Sequence, residues 1–387
     1  MNENRMNTAE RDELQQTARR ILAERAPIER VRSLLDDDLG HDSQLHRDML
    51  DLGWSAMHMP EAFGGFGASF ADTSVVVSEL GRALTGGPLM PSAVVAAGAL
   101  VLAPNRALCA SILPALIDGS SLATVAIAGA SGHFGEKSLG VRWQAGRRGS
   151  MTLDGVATFV QEASLADRFV VFAGNERGVI AAVVERSQPG ISVEPVRALD
   201  QTRRLASVTF DHVEVGVESL LAESTDGGAL LRSVVDIGAT VMALDSFGLA
   251  EVVVERTADY VKQRFQFGRS IGSFQAIKHR LADAVLLVET SRVAAYSAAA
   301  AVDMCGPSMS VRDRVVAVAT AKAYVCDAAV KICGDSLQSH GGIGFTWEHD
   351  THLYLKRAML NQALFGTSSW HRRRVADEVL PAITRTV

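Results

Sequence analysis

The sequence contains little that would suit a secreted or nucleic-acid-binding protein. It has only four cysteines in 387 residues, and none of them form a CxxC pair. Widely spaced cysteines of this kind are typical of reduced, buried side chains in a cytosolic protein. The formal net charge of −6 provides no basic excess for a polyanion, so we expect no nucleic-acid partner.

Two features of an exported or membrane-bound chain are also missing. The segment 1–20 carries charges throughout and lacks the apolar core of a secretory signal. The longest apolar run, 93–103, is too short to cross a bilayer as a helix. We therefore expect a soluble, cytoplasmic protein without a membrane partner.

What the sequence does contain is enough apolar material, 48% of its residues, for a large core and several packed units. Apolar residues recur at helical spacing in residues 1–121, and short β-type runs follow in 122–226. Long Ala-, Val- and Leu-rich helical stretches fill 227–387. These zones predict an α+β fold that is mostly α, with an N-terminal helical domain, a middle β-barrel or sandwich domain and a C-terminal four-helix bundle.

Three glycine-containing motifs interrupt the helical zones. The first, 60–67, reads PEAFGGFG and on its own is typical of a loop between helices. The second, 264–269, reads RFQFGR. Its first arginine could pair with a pyrophosphate or serve only as a solvated basic helix end. The third, 338–344, reads QSHGGIG; its backbone N–H groups could cradle an anion, although a plain loop is the commoner meaning of such a turn.

Together and in this order, the motifs make the sequence similar to the acyl-CoA dehydrogenase family. The resemblance runs nearly end to end, because a Gln–Ala–Ile run follows the second motif and a Gly366–Thr367 pair lies near the C-terminus. It implies FAD as the cofactor, an acyl-CoA thioester as the substrate, and a tetramer built as a dimer of dimers. In such proteins two subunits share each FAD.

The resemblance also assigns residues to the cofactor. It implies that the second and third motifs reach the pyrophosphate and adenosine of the neighbouring subunit's FAD. The implied cofactor contacts are Arg264, Phe267, Gly268, Gln275, Gln338, Gly341, Gly342 and Thr367. No metal site is expected, because His349 and His352, on either side of Asp350, have no evident third and fourth ligands.

The residues that build a subunit's own flavin site in this family are missing. Residues 127–133 read IAGASGH where the family has a Thr-Glu-Pro-x-x-Gly-Ser-Asp loop, and 159–162 read FVQE where it has Trp-x-Thr. The hydroxyl groups that would bond the flavin are therefore absent. Glu162 instead brings a carboxylate, which would disfavour an anionic reduced flavin beside it.

The identity of the catalytic base is also open. Most family members have a Glu before the late Gly-Thr pair, where this sequence has Phe365, and a second family location for the base falls on Gly238. Asp236 is only two residues from Gly238 and points to the other side of the helix. Asp245 lies about two turns further on and shares the face of Gly238, so it is our candidate base. The alternative for Asp245 is a polar helix group paired at a subunit contact.

The losses are one-sided, and this asymmetry generates the main hypothesis. Groups that would serve a neighbour's FAD survive, whereas those of the chain's own flavin site are gone. We therefore expect a subunit that completes a partner's FAD site. It resembles the partner subunits of actinobacterial α2β2 acyl-CoA dehydrogenases that act on steroid-derived CoA thioesters, and the stretch 347–358 also resembles that branch. The implied reaction is α,β-dehydrogenation, with electrons leaving to an electron-transfer flavoprotein.

Three alternatives remain open from the sequence alone. The chain could be a self-sufficient homotetrameric dehydrogenase that uses Asp245 as its base. It could be a flavin-dependent monooxygenase on the same fold, which needs no such base. It could also be a non-enzymatic CoA-ester-binding or structural protein.

Overall fold

The N-terminal part of the chain is a layer of helices. The computed structural model describes residues 6–146, 150–304 and 309–380. Its first helices are α1 (Thr8–Arg25), α2 (Ile28–Ser33), α3 (Ser43–Asp51), α4 (Phe70–Arg82), α5 (Ala97–Leu102) and α6 (Arg106–Ile117). Helices α1 and α4 each begin with a capping box. The side chains of Asn7 and Ser69 accept from the backbone amide three residues later, and the carboxylate of that later residue accepts from the amide of Asn7 or Ser69. A buried π-helical segment, Leu89–Ala96, leads directly into α5.

The middle part is one eight-stranded sheet. Its strands are β1 (Ala123–Ala126), β2 (Val141–Ala145), β3 (Met151–Gln161), β4 (Arg168–Asn175), β5 (Gly178–Glu185), β6 (Ile191–Val196), β7 (Leu205–Val215) and β8 (Leu220–Ala222). The strand order is β6-β7-β3-β2-β4-β5-β8, and β1 pairs in parallel with β4. Alternate side chains of β4 enter two different cores, since Val170 and Phe172 pack with the helices while Phe169 and Val171 pack within the sheet domain. The sheet is thereby fixed against the helices on one face.

The C-terminal part is a helical bundle. It consists of α7 (Gly227–Gln263), α8 (Gln275–Ala301), α9 (Val311–His340), α10 (Thr351–Ala363) and α11 (Ser368–Val379), and a hairpin of β9 (Phe265–Gln266) and β10 (Arg269–Ser270) joins α7 to α8. The last helical stretch is divided into α10 and α11, because Gly366 turns the chain at a φ of +101° and Thr367 caps α11. The predicted fold class, α+β and mostly α with a middle sheet domain, is confirmed.

Helix α7 is the central element of the bundle. It packs against α4, α8, α9 and α10. Among the described residues it is the one helix long and apolar enough to span a membrane, and 89% of its most apolar stretch is buried inside the protein. Its composition is therefore that of a core helix surrounded by other helices.

Helices α4 and α7 approach each other closely at two glycines. A Cβ at Gly248 would overlap the backbone carbonyl of Ser78, and a Cβ at Gly81 would overlap the backbone of Asp245. Backbone therefore packs directly on backbone at this crossing, with no side chain between the two helices.

We expect Gly248→Ala to lower the free energy of unfolding by about 1–3 kcal/mol, because the added methyl group forces α4 and α7 apart. Urea denaturation followed by circular dichroism measures the change. The matched control is Gly334→Ala in α9, where a Cβ meets no atom within 4 Å. There the better helix propensity of alanine should stabilise the protein by about 0.5–1 kcal/mol. Equal stabilisation by both substitutions would contradict the close helix contact.

Candidate functional site

An open groove of about 400 Å³ lies where the C-terminal ends of α7 and α9 meet. Arg264, which follows α7, lines one side, and Gln338, Gly341 and Gly342 from the end of α9 line the other. These residues come from two separate sequence motifs. The structure thus brings four of the predicted cofactor residues together in one groove.

The backbone of the glycine-rich turn is open toward this groove. Gly341 ends α9 with a φ of +64°, and a 3₁₀ turn, Gly341–Phe345, follows. No atom lies within 4 Å of a Cβ built at Gly341 or at Gly342. Such a turn allows a phosphate group to approach the main chain closely, and the nearby Arg264 guanidinium is suited to pair with it. The groove therefore fits the pyrophosphate end of a dinucleotide.

The remaining predicted cofactor residues lie outside the groove. Phe267 and Gly268 form the tip of the β9–β10 hairpin, where the Phe267 side chain is 92% exposed, and Gln275 begins α8. Thr367 is the N-cap of α11, where its hydroxyl accepts from the Trp370 amide. None of these four residues lines the groove that lies between Arg264 and the glycine-rich turn.

The region where the chain would hold its own flavin and acyl group is filled by aromatic side chains. The buried ring of Phe365 lies 5.0 Å from the ring of Phe134, which follows the loop that replaces the family's flavin-binding loop. A Cβ at Gly238 would overlap the Phe365 ring, so the two family positions for the base are in direct contact. The cavity left between Phe134, Gln161 and Phe365 is about 10 Å³, which is room for about one water molecule. This region does not fit an isoalloxazine ring.

The hydroxyl groups near this region are already bonded to the protein. Thr158 donates to the carbonyl of Gly129 at 2.7 Å, and Thr124 donates to the carbonyl of Gln161 at 2.8 Å. Neither hydroxyl hydrogen is available for a flavin. Thr124 of β1 and Thr158 of β3 therefore do not supply the hydroxyl donors that the sequence lacks.

The carboxylate of Glu162 lies away from the filled region. Gln161 lines the cavity, whereas Glu162 accepts from the Arg204 amide at 3.2 Å and is buried elsewhere. Burial raises the pKa of Glu162 to about 7, although the Arg204 amide and the Arg203 guanidinium lower it. Our expectation of a carboxylate beside the flavin edge is wrong, because Glu162 follows the end of β3 at a φ of +51° and its carboxylate is directed to the Arg204 amide instead.

Asp245, our candidate base, lies in a buried ion-pair network. Its Oδ1 accepts from Arg203 at 2.8 Å and from Arg357 at 3.2 Å, and its Oδ2 accepts from Asn361 at 2.6 Å. The side chain has no exposed surface, so it has no carboxylate oxygen free to reach a substrate. The structure corrects the assignment: Asp245 is a structural ion-pair partner within this chain, not a base and not a subunit contact.

The second carboxylate near Gly238 is occupied as well. Asp236 is buried, and its two oxygens accept from Arg314 at 3.2 Å and from Arg374 at 2.7 Å. Sequence reasoning considered Asp236 only by its spacing from Gly238 and missed both arginines. They lie on α9 and α11, and no local pattern connects them to α7.

The comparison with known proteins agrees with this fold and these motifs. The family profile "Acyl-CoA dehydrogenase, N-terminal domain" matches residues 8–120, and "Acyl-CoA dehydrogenase, C-terminal domain" matches residues 225–380. This chain belongs to the acyl-CoA dehydrogenase family. As a family member it is an oxidoreductase that acts on acyl-CoA, with FAD as its cofactor.

Several relatives of this acyl-CoA dehydrogenase cover nearly the whole chain. Acyl-CoA dehydrogenase IpdE2 of Mycobacterium tuberculosis is 30% identical over 371 residues, which are 96% of this chain and 97% of that protein. The ChsE4-ChsE5 complex from the same organism contains a chain with a TM-score of 0.87 and 25% identity, covering 97% of this chain and 98% of that one. The Tcur3481-Tcur3483 steroid ACAD G363A variant gives a TM-score of 0.85 and 26% identity, covering 97% and 99% of the two chains.

We expect Asp245→Asn to lower the free energy of unfolding of this acyl-CoA dehydrogenase by about 3–5 kcal/mol, because it leaves Arg203 and Arg357 buried with less compensating charge. Urea denaturation measures the loss. The control is Glu185→Gln at the partly exposed ion pair with Arg168, which should cost less than about 1 kcal/mol. If Asp245→Asn left the stability unchanged but abolished dehydrogenation, Asp245 would be the base and the structural assignment would be wrong.

The contact between Gly238 and Phe365 is testable by a double-mutant cycle. Gly238→Ala alone should cost about 1–3 kcal/mol by overpacking against the ring. In a Phe365→Ala background the same change should cost less, with an interaction energy of about 0.5–3 kcal/mol. Strictly additive changes in unfolding free energy would show that the Phe365 ring does not occupy the space beside Gly238.

Proposed function

We propose that this chain is the subunit of a heteromeric FAD-dependent acyl-CoA dehydrogenase that completes the FAD site of a partner subunit. The contrast between its two regions carries the proposal. The groove with Arg264 and the glycine-rich turn is open, whereas Phe134 and Phe365 fill the region of the chain's own flavin. One region is suited to a shared cofactor and the other is closed to it.

Two solved relatives support a heteromer and a substrate class. One is named as the ChsE4-ChsE5 complex, and the other as a Tcur3481-Tcur3483 steroid ACAD. We extend both features to this chain: an α2β2 assembly with a second acyl-CoA dehydrogenase-like subunit, and a steroid-derived acyl-CoA as substrate. Electrons would leave the assembly to an electron-transfer flavoprotein.

Exposed aromatic residues near the groove support a partner surface there. The Phe265 and Phe267 side chains of the hairpin, and Phe345 at the end of the glycine-rich turn, are all more than half exposed, as is Trp347. Exposed apolar side chains grouped in this way are typical of protein–protein interfaces. A partner subunit that brings its FAD to the groove would also cover these rings.

The division of work between the subunits follows from these contacts. When bound, FAD accepts the hydride of an α,β-dehydrogenation. Within this chain, Arg264 would neutralise pyrophosphate charge, and the backbone at Gly341 and Gly342 would allow the phosphates to approach. Phe134 and Phe365 leave no room for an acyl chain in the chain's own pocket. The base and the flavin-ring contacts would come from the partner, which gives one active site for each pair of chains.

Two of the alternatives need an open flavin pocket in this chain. A self-sufficient dehydrogenase would require a free base, and Asp245 has neither an exposed oxygen nor a path to substrate. A flavin monooxygenase would require space for the isoalloxazine ring, and the cavity between Phe134, Gln161 and Phe365 is only about 10 Å³. The filled pocket therefore disfavours both.

Flavin content of the purified chain tests the proposal. We expect no stoichiometric FAD on the chain expressed alone, and about one FAD per heterodimer when it is co-expressed with its partner. Absorbance at the flavin band, measured against protein concentration, gives both values. A yellow, fully loaded homo-oligomer of this chain would overturn the proposal.

The role of Arg264 is testable in the assembled complex. We expect Arg264→Ala to weaken FAD retention roughly ten- to a hundredfold, because a charge-assisted bond to phosphate is lost. The matched control is Lys262→Ala, which removes an exposed charge two residues earlier, in the last turn of α7. Dialysis against FAD-free buffer measures retention. Equal behaviour of the two variants would show that Arg264 is only a helix-end charge.

A further inference from the structure

Three aromatic rings pack together beside the groove, two of them face to face, and we call this cluster the stack. The ring of Tyr260, in the last turn of α7, lies 4.3 Å from the ring of His340, the last residue of α9, at an interplanar angle of 28°. The ring of His349, which precedes α10, has its centre 4.5 Å from the centre of the His340 ring. Tyr260 and His340 line the groove together with Arg264. The stack therefore joins three segments of the chain beside the predicted cofactor groove.

Hydrogen bonds connect this stack to both sides of the groove. The Tyr260 hydroxyl donates to the carbonyl of His340 at 3.3 Å, directly before the glycine-rich turn. The Arg264 amide donates to the Tyr260 carbonyl at 2.9 Å. Nδ1 of His340 is 2.8 Å from the Ser336 carbonyl, one turn back in α9. Tyr260 is thus bonded to Arg264 on one side and to the residue before Gly341 on the other.

The hydrogen bonds of His349 require its neutral form. Its Nδ1 accepts from the Thr351 amide at 3.2 Å, at the beginning of α10, and lies 2.6 Å from the Thr351 hydroxyl. A protonated Nδ1 cannot accept that amide, and the positive end of the α10 dipole also opposes a charge there. If His340 and His349 were both protonated, two like charges would lie in contacting rings.

The charged groups around the stack do not offset such a charge. Arg256 and Asp259 face it from α7, Arg32 approaches from α2, and Asp350 precedes α10. Asp350 already pairs with Arg32 at 2.7 Å and lies 3.7 Å from Arg256. Burial lowers the pKa of His340. Burial, and then the charge of His340, lower the pKa of His349.

We propose that the Tyr260–His340–His349 stack is a positioning device for the shared FAD site. It holds the turn Gly341–Phe345 in a fixed position relative to Arg264 while both imidazoles are neutral, and it releases the turn when they are protonated. Its effect on FAD rests on the proposed function, whereas its effect on the turn does not. The folded protein favours the neutral rings. The positioning is therefore complete when the pH is above the ordinary histidine pKa of about 6.5, and it is lost as the pH falls below that pKa.

Amide hydrogen exchange on the full chain tests the positioning without any cofactor. We expect the protection factors of residues 341–345 to fall about tenfold or more between pH 7.5 and pH 5. In the double variant His340→Phe/His349→Asn both proton sites are removed, while the Asn oxygen can still accept from the Thr351 amide, so the protection should become independent of pH over this range. The control, His212→Asn, removes an exposed histidine of β7 and should behave like the wild type. An unchanged pH dependence in this double variant would overturn the proposal.

FAD release from the assembled complex is the second measurement. We expect FAD to leave the wild-type complex about tenfold faster at pH 5 than at pH 7.5, and the double variant His340→Phe/His349→Asn to remove most of this difference. Tyr260→Phe, which deletes only the hydroxyl bond to the His340 carbonyl, should speed release at both pH values without moving the unfolding midpoint of the complex by more than a degree or two. A complex that binds no FAD at pH 7.5 would refute the shared-site function, and the exchange measurement would still decide the role of the stack. FAD release independent of pH in a loaded wild-type complex would refute the switch.

Discussion

The buried charges around Asp245 hold three parts of the chain in one arrangement. Arg357 of α10 has no exposed surface and donates to Asp200 at 2.9 Å and to Asp245 at 3.2 Å. Arg203, beside the sheet domain, donates to the same Asp245 oxygen at 2.8 Å. A buried charge is tolerated only with a partner, so none of these groups can move alone. The loop before β7, the centre of α7 and α10 are therefore fixed relative to one another.

This fixed position of α10 has a consequence for the site. It places Phe365, two residues after the end of α10, over Gly238, where its ring occupies the space of a family base. The closed pocket is thus supported by a buried ion network. Asp236, bound by Arg314 and Arg374, ties α7 to α9 and α11 on the same side.

Helix α7 connects the closed pocket to the open groove. Gly238 lies near its beginning and Arg264 directly follows its end, which places them roughly 40 Å apart along the axis of a straight helix. One helix therefore serves two different regions: its first half is packed by Phe365, and its last turn carries Tyr260 beside the glycine-rich turn. The groove and the filled pocket have no lining residue in common, so the rings that fill the pocket leave the residues of the groove in place.

The sequence is sufficient for the parts of this protein that depend on local patterns. Hydrophobic spacing predicts the order of helices and strands, and the glycines at 341 and 342 predict an open turn because only the backbone conformation matters there. The absence of the family's flavin-binding motifs at 127–133 and 159–162 already predicts a lost flavin site. Tertiary structure alone decides which side chains meet. The partners of Asp245 lie 42 and 112 residues away, Glu162 turns from the cavity that Gln161 lines, and Tyr260 meets His340 across two helix ends. A pattern states which face a residue occupies, but the group opposite that face is set by how the whole chain folds back on itself.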